Sequence, residues 1–475
     1  MGKPTLISLF TGAGGLDLGL EQAGFQTLFA NEIEPYACES LRSNRALRSL
    51  RGNQFEDWFQ NHVLSQRCYK NISEEDLLAL KSRLMPALIE NKTYFNHSQI
   101  SECDIRNIKS EDIFFSIGKK RGEIDLIAGG PPCQSFSRAG KREMVDCDTG
   151  QLFMEFVRLV DEIRPRWFIF ENVKGLIINK ADIAIQKCTR CETISTSDFK
   201  DRYYLKDASI YKTFCKKCGR LETHAISWEK RKTGSLDIIQ GEFSRLGYSC
   251  KSRVLNAADY GAPQSRERLF IVGSRDKEHF KWPNPTHSDE KNLSHRVLTI
   301  FDGSQKKPWV TLREALYNDG HWKYGVLDAY KAVLWVKNVV RPHAERVTWS
   351  LDRPSPTIGA HQSAKLAIAP FGVSDEQLER QQWHVRGKRQ GDTAPVFVEH
   401  EYLTDKELLI LQTFPTSWYL HGTRMQRAFQ IGNAVPPALS RAVGHSVIQA
   451  MSLTDEEFPP IEQEATYAEY YASSI

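Results

Sequence analysis

Leu6-Ile7-Ser8-Leu9-Phe10 runs directly into Thr11-Gly12-Ala13-Gly14-Gly15 and then into Leu16 to Ala23, which Gly24 closes. The apolar run reads as a buried strand, the glycines as a tight loop, and the third segment as a helix stopped by glycine. Such a β–loop–α unit lets a ligand approach the backbone closely and presents free N–H groups at the helix start. A second strand, Thr27 to Ala30, ends in Asn31-Glu32, and an acid there is where a nucleotide ribose commonly finds its acceptor. Further strands are expected at Ile124 to Ala128, Trp167 to Phe170 and Leu269 to Gly273, with a helix from Gln151 to Ile163. Strands alternating with helices predict an α/β fold with a doubly wound, largely parallel sheet.

The second constraint is Gly129-Gly130-Pro131-Pro132-Cys133-Gln134, which follows the Ile124 to Ala128 strand. Glycines and prolines cannot extend a ladder, so the thiol sits on a loop at a strand's carboxyl end, where open α/β sheets bind ligands. Paired prolines restrict that loop, and Cys133 reads as a nucleophile rather than a packed thiol. Carboxylates close two other strands: Glu32, and Glu171 in Glu171-Asn172-Val173. The glycine loop lacks the phosphate-binding G-x-x-x-x-G-K pattern.

At 475 residues, 41% hydrophobic and 26% charged, the chain can build two or three domains with substantial cores. A net charge of +4 permits a nucleic-acid partner through a local patch without requiring one. No apolar run approaches the ~20 residues that span a bilayer. The start, Met1-Gly2-Lys3-Pro4, lacks the regions of a signal peptide, so an intracellular, soluble protein is expected.

Six motifs in order resemble the DNA (cytosine-5) methyltransferase family. They are Phe10 to Gly15; Gly130-Pro131-Pro132-Cys133-Gln134; Glu171-Asn172-Val173; Gln264-Ser265-Arg266-Glu267-Arg268; Leu403-Thr404 to Phe414-Pro415; and Gly432-Asn433-Ala434-Val435-Pro436-Pro437. The resemblance implies a Rossmann-like methyltransferase sheet and S-adenosylmethionine as methyl donor. By position, Phe10 would stack on the adenine, and Gly12, Gly14, Gly15 and Leu16 would lie along the methionine part. Glu32 would bind the ribose, Asp104 and Ile105 the adenine, and Pro131, Leu152, Asn433 and Val435 would complete the pocket. Ser8 departs from the pattern, since several relatives carry an acid there. The resemblance also implies catalysis by Cys133 attacking cytosine C6, Glu171 acting at N3, Arg268 binding O2 and Arg266 supporting the geometry. The reactive atoms are inaccessible inside a duplex, so the cytosine must flip out. The loop from Ser135 to Gly150, with Arg138, Lys141 and Arg142, would close over it.

Residues 1–274 are expected to form the catalytic domain, with a helical insert at 45–101 and a second insert at 180–232. The first insert holds a helix starting at Ser73, with Leu77, Leu80, Leu84 and Leu88 on one face. In the second, Cys188-Thr189-Arg190-Cys191 and Cys215-Lys216-Lys217-Cys218 have zinc-ribbon spacing, and four thiolates would make a closed, structural site. Residues 275–400, with Arg353 to Ile358 and Trp383 to Arg389, fall where the family places target recognition, and 401–475 would return to the catalytic domain. The expected function is thus a DNA (cytosine-5-)-methyltransferase acting on duplex DNA. Expected with it are a cognate restriction endonuclease, a monomer on DNA and a prokaryotic or phage cytoplasm with nucleoid association, since chromatin-reading extensions are missing. A tRNA cytosine-5 methyltransferase and a catalytically silent DNA-binding module remain as alternatives, while the glycine loop alone would suggest a nicotinamide dehydrogenase.

Overall fold

The computed structural model describes residues 2–50, 53–70, 72–85, 94–132, 148–178, 181–196, 210–215, 217–231, 234–289, 306–317, 332–338, 347–359, 362–368 and 398–452. Cys133, the Ser135 to Gly150 loop up to residue 147, Leu88 and the Trp383 to Arg389 segment lie outside them. The chain forms two compact units: Met1–Asp104 with Leu255–Glu267 and Lys281–Gln449, and Ile105–Val254 with Arg268–Phe280 and Ala450–Ile475.

In the first unit, Thr5–Leu9 (β1) is buried throughout, as its apolar run requires. Gly15–Ala23 (α1) ends at Gly24, whose φ of 124° no side-chain-bearing residue adopts easily. Gln26–Glu32 (β2) returns parallel to β1, and Gln99–Glu102 (β3) lies parallel to β2. Between these strands come Pro35–Leu47 (α2), Asn53–Trp58 (α3) running into a π-helical turn at Phe59–Val63, and Glu74–Leu84 (α4). Ser73 caps α4 by accepting from the Asp76 amide at 3.1 Å, and Leu84 joins Leu47, Phe55, Phe59, Val63 and Tyr419 in one apolar cluster. Leu77 and Leu80 pack against its rim, so the excursion docks on the core by the apolar face its spacing predicts.

In the second unit come Ser110–Ile117 (α5), Leu126–Gly129 (β4), Asp148–Ile163 (α6), Trp167–Val173 (β5) and Gly175–Ile178 (α7). An arm follows: Ala181–Cys188 (β6), Ile194–Thr196 (β7), Ile210–Phe214 (β8) and Leu221–Arg231 (β9) form an antiparallel sheet in the order β7-β6-β9-β8. Gly234–Arg245 (α8) leads to Ser249–Asn256 (β10); Gln264–Ser265 (β11) belongs to the first unit, and Glu267–Ser274 (β12) runs antiparallel to β5. Phe243 of α8 stacks on Phe168 of β5 with ring centroids 4.0 Å apart. Gly273 faces the same phenylalanine in the ladder, and a Cβ there would meet the Phe168 ring at 2.1 Å.

Within the first unit the strands run in the order β1-β2-β3, all parallel, and within the second in the order β10-β12-β5-β4, with β4 and β5 parallel. The α/β expectation holds, with β12 as its antiparallel member. Within the expected target-recognition segment and the residues just beyond it, Ala332–Asn338, Val347–Ser350, Gln362–Ile368 and Val398–Tyr402 form a separate four-stranded antiparallel sheet. The chain then continues through Arg424–Asn433 (α9) to Pro437–Ser452 (α10). Among the described residues no helix is long and apolar enough to cross a membrane.

Candidate active site

Because β12 runs antiparallel to β5, its first residues arrive at the edge where β4 and β5 end. Arg268 pairs with Val173 in the ladder, two residues beyond Glu171 and therefore on the same face. The Arg268 Nε lies 3.1 Å from Glu171 Oε1, and each side chain is only 11% exposed. Burial draws the Arg268 guanidinium below its ordinary pKa, and the Glu171 carboxylate opposes that shift. The pair is thus a pre-set cation and carboxylate held in a low-dielectric edge.

The loop toward Cys133 is pinned to this pair. A Cβ on Gly130 would stand 2.6 Å from Glu171 Oε2, so only glycine lets the carboxylate approach the backbone so closely. Asn172 is buried; its side-chain amide donates to the Pro131 carbonyl at 3.0 Å while its oxygen accepts from the Val173 amide at 2.9 Å. Pro131 is buried and Pro132 exposed, and Cys133 follows as the first residue outside the described ones. Asn172 had no assigned role in the sequence reading; a polar residue beside a carboxylate at a buried strand's end is the signal that points to it.

Arg266 is placed differently. It is fully buried, donating to the Gly432 carbonyl at 2.7 Å and the Ile358 carbonyl at 3.1 Å. Ser355–Pro356 pairs with β11 in parallel, and Thr357 donates its hydroxyl to the Ser265 carbonyl at 2.9 Å. Arg266 therefore ties the Arg353 to Ile358 segment to the residue preceding Asn433.

The donor-binding candidates of the first unit gather at the carboxyl ends of β1 and β2. Phe10 is half-buried with φ of 57°, a strained backbone for an aromatic residue. Gly12, with φ of 56°, has nothing within 4 Å of where a Cβ would sit, which leaves an open cradle. Gly14 and Gly15 are closely packed: a Cβ would strike Leu41 at 2.9 Å from the first and the Val435 carbonyl at 2.3 Å from the second. Leu16 and Val435 are buried and Asn433 is exposed. One Glu32 oxygen accepts from the Gly12 amide at 2.7 Å, and the other accepts from the amides of Ile33 at 2.8 Å and Glu34 at 3.0 Å. Burial raises the Glu32 pKa, and these amides offset part of the rise. The strained aromatic, the open glycine and the oriented carboxylate fit an adenosine-bearing donor. Asp104, half-buried, ends the first unit's Met1–Asp104 stretch; Ile105, buried, and Leu152, half-buried on α6, belong to the second.

In the arm, the sulfurs of Cys188, Cys191, Cys215 and Cys218 all lie within 4.8 Å of one another, with Cys191 and Cys215 at 3.5 Å. A tetrahedral zinc site with bonds of about 2.3 Å requires sulfurs about 3.8 Å apart, so the four thiols fit one ion.

The chain is similar to the Type II methyltransferase M.AquIA of Picosynechococcus sp., 32% identical over 319 residues that span 66% of this chain and 87% of the relative. It is 26% identical over 452 residues to the Type II methyltransferase M1.HphI of Haemophilus parahaemolyticus, spanning 94% of this chain and 87% of the relative. Likewise it is 27% identical over 464 residues to the Type II methyltransferase M.BspRI of Lysinibacillus sphaericus, spanning 94% and 82%. With the C-5 cytosine-specific DNA methylase model matched over residues 5–63, 90–212 and 228–449, the chain belongs to that family of methyltransferases.

Proposed function

We propose that this enzyme methylates C5 of a flipped-out cytosine in a specific duplex DNA sequence through a covalent bond from Cys133 to C6. The observation that carries the reading is the buried Glu171–Arg268 pair, with the Gly130-Pro131 backbone held against it and leading into Cys133. Cytosine C5 is too weak a nucleophile to be methylated directly. Addition of the Cys133 thiolate to C6 breaks the ring's aromaticity and moves electron density toward C5. Glu171 holds a proton at N3 and Arg268 neutralises charge at O2, so that no net anion builds on the ring during addition. S-adenosylmethionine, when bound, supplies an electrophilic methyl group. Loss of the C5 proton to a base then expels the Cys133 thiolate and restores the ring.

Phe10, the open Gly12 and Glu32 would hold the donor's adenosine, with Asp104, Asn433 and Val435 of the same unit as further contacts. Arg266 would act by positioning the backbone at Gly432 and Ile358 rather than by touching the base. The four arm cysteines are read as ligands of one structural zinc ion. The relatives' shared description as Type II methyltransferases supports a place beside a restriction endonuclease in a prokaryotic cell.

Mapping of 5-methylcytosine in DNA from cells expressing the protein should show methylation at one reproducible motif, absent with Cys133→Ser. DNA carrying 5-fluorocytosine at that motif should trap a denaturation-resistant complex when the donor is present. Methylation in neither strain, or methylation without a trapped adduct, would overturn the proposal.

A further inference from the structure

The arm carries a symmetry that the cysteine spacing does not reveal. In the first knuckle the Cys188 amide donates to the Thr193 carbonyl at 3.0 Å, and the Glu192 amide donates back to the Cys188 carbonyl at 3.0 Å. In the second, the Cys215 amide donates to the Arg220 carbonyl at 2.9 Å, and the Gly219 amide to the Cys215 carbonyl at 2.9 Å. The residue after each second cysteine is left-handed in both, Gly219 with φ of 66° and Glu192 with φ of 57°. A glycine takes that conformation freely, whereas a glutamate is strained in it and stays only if its surroundings impose the turn.

The knuckles meet because β9 pairs with both β6 and β8, which sets Cys188 opposite His224 and Phe214 opposite Leu221. The β6–β9 ladder runs from Ala181–Arg231 to Cys188–His224, roughly 24 Å at about 3.4 Å per residue, so the cysteines sit at the end away from α7 and β5. Among the described side chains of the arm, only Cys188, Cys215 and His224 are buried. The family match also breaks at residue 212 and resumes at 228, passing over the second knuckle.

Resting on the reading of the four cysteines as ligands of one ion, we propose that a tetrahedral zinc centre replaces a hydrophobic core at the arm's tip. The metal then decides whether this module is folded, while the chemistry at Cys133 proceeds without it. Four thiolates fill the coordination shell, leaving no position for substrate, and the two matched turns hold the sulfurs in place.

The test uses the full chain. Elemental analysis should find one zinc per chain, and cobalt exchange should give the absorption bands of a tetrahedral four-thiolate site. Both should be lost in Cys191→Ser and Cys218→Ser. Chelation should raise proteolytic cleavage within residues 179–233 at least tenfold while changing the rate of 5-fluorocytosine adduct formation less than threefold. Glu192→Gly should hold zinc about three- to fivefold more tightly against a competing chelator, and Gly219→Ala should hold it more weakly. A zinc-free chain with a protease-resistant arm, disulfides among the four cysteines, or a chelated chain that loses adduct formation in step with arm cleavage would overturn the proposal. Absence of adduct from every form would instead strike the proposed function and leave the metal readouts standing.

Discussion

Asp17 lies wholly buried in the first turn of α1, and neither carboxyl oxygen is within hydrogen-bond geometry of a partner. Burial pushes its pKa from 3.8 up to about 7, and the nearby Ser8 hydroxyl offsets part of the rise. A carboxyl raised in this way favours the fold in its protonated form. Its contribution is complete below pH about 4 and is lost as pH rises through about 7. Asp17→Asn should therefore raise stability at pH 8 by a few kcal/mol and leave it nearly unchanged at pH 4. Denaturant titrations at the two pH values check this, and equal stabilisation at both would contradict it. Arg268 poses the complementary case, because Glu171 is buried beside it. Arg268→Ala should cost about 3–5 kcal/mol by leaving the carboxylate without its cation, and Arg268→Leu combined with Glu171→Leu should cost less than the single change. Both should abolish methylation, so thermal melts are the readout that separates them. The residue types at this edge, Glu171 and Arg268, could be recognised in the sequence. The burial of Arg266 could not, because the carbonyls it holds lie 92 and 166 residues away in the chain.

At the scale of elements, the glycines around α1 divide by what a side chain would meet. Gly19 lies against α10, where a Cβ would stand 2.0 Å from Ser440 Oγ and 2.4 Å from the Pro437 carbonyl, and Gly15 accepts from the same serine hydroxyl at 3.2 Å. Gly444 approaches from the other side, where a Cβ would meet Ala23 at 2.8 Å. Gly19→Ala should destabilise the protein by about 1–3 kcal/mol through overpacking, seen as a lowered melting temperature. Gly12→Ala meets no clash but is strained by the φ of 56°, and it should weaken donor binding, raising KM for S-adenosylmethionine at least tenfold, because the methyl group would enter the open cradle. Gly12→Ala with an unchanged KM would remove Gly12 from the donor site. The strand, loop and helix of residues 5–24 were readable in sequence since the apolar run, the turn glycines and the helix's own hydrogen bonds are local. The packing of α10 on α1 joins segments more than 400 residues apart and follows from no local pattern.

For the whole molecule, the arm begins and ends at one pair of facing residues, Ala181 and Arg231, so its removal need not disturb what lies beneath it. Replacing residues 182–230 with a short Gly-containing turn should leave a folded chain that still forms the 5-fluorocytosine adduct, with melting temperature and trapping yield as the measurements. Loss of both would show that the arm supports the catalytic edge. The strands near residues 6, 27, 126, 167 and 269, the candidate nucleophile, the acids at strand ends and the paired C-x-x-C knuckles were legible in the sequence, because periodicity, turn chemistry and ligand spacing act over a few residues. Tertiary structure alone decided that β12 runs antiparallel and so brings Arg268 to Glu171, and that Asn172 holds the Pro131 carbonyl. These depend on pairing and burial between distant segments, where the loss of water and the surrounding packing, rather than any local preference, determine which polar groups meet.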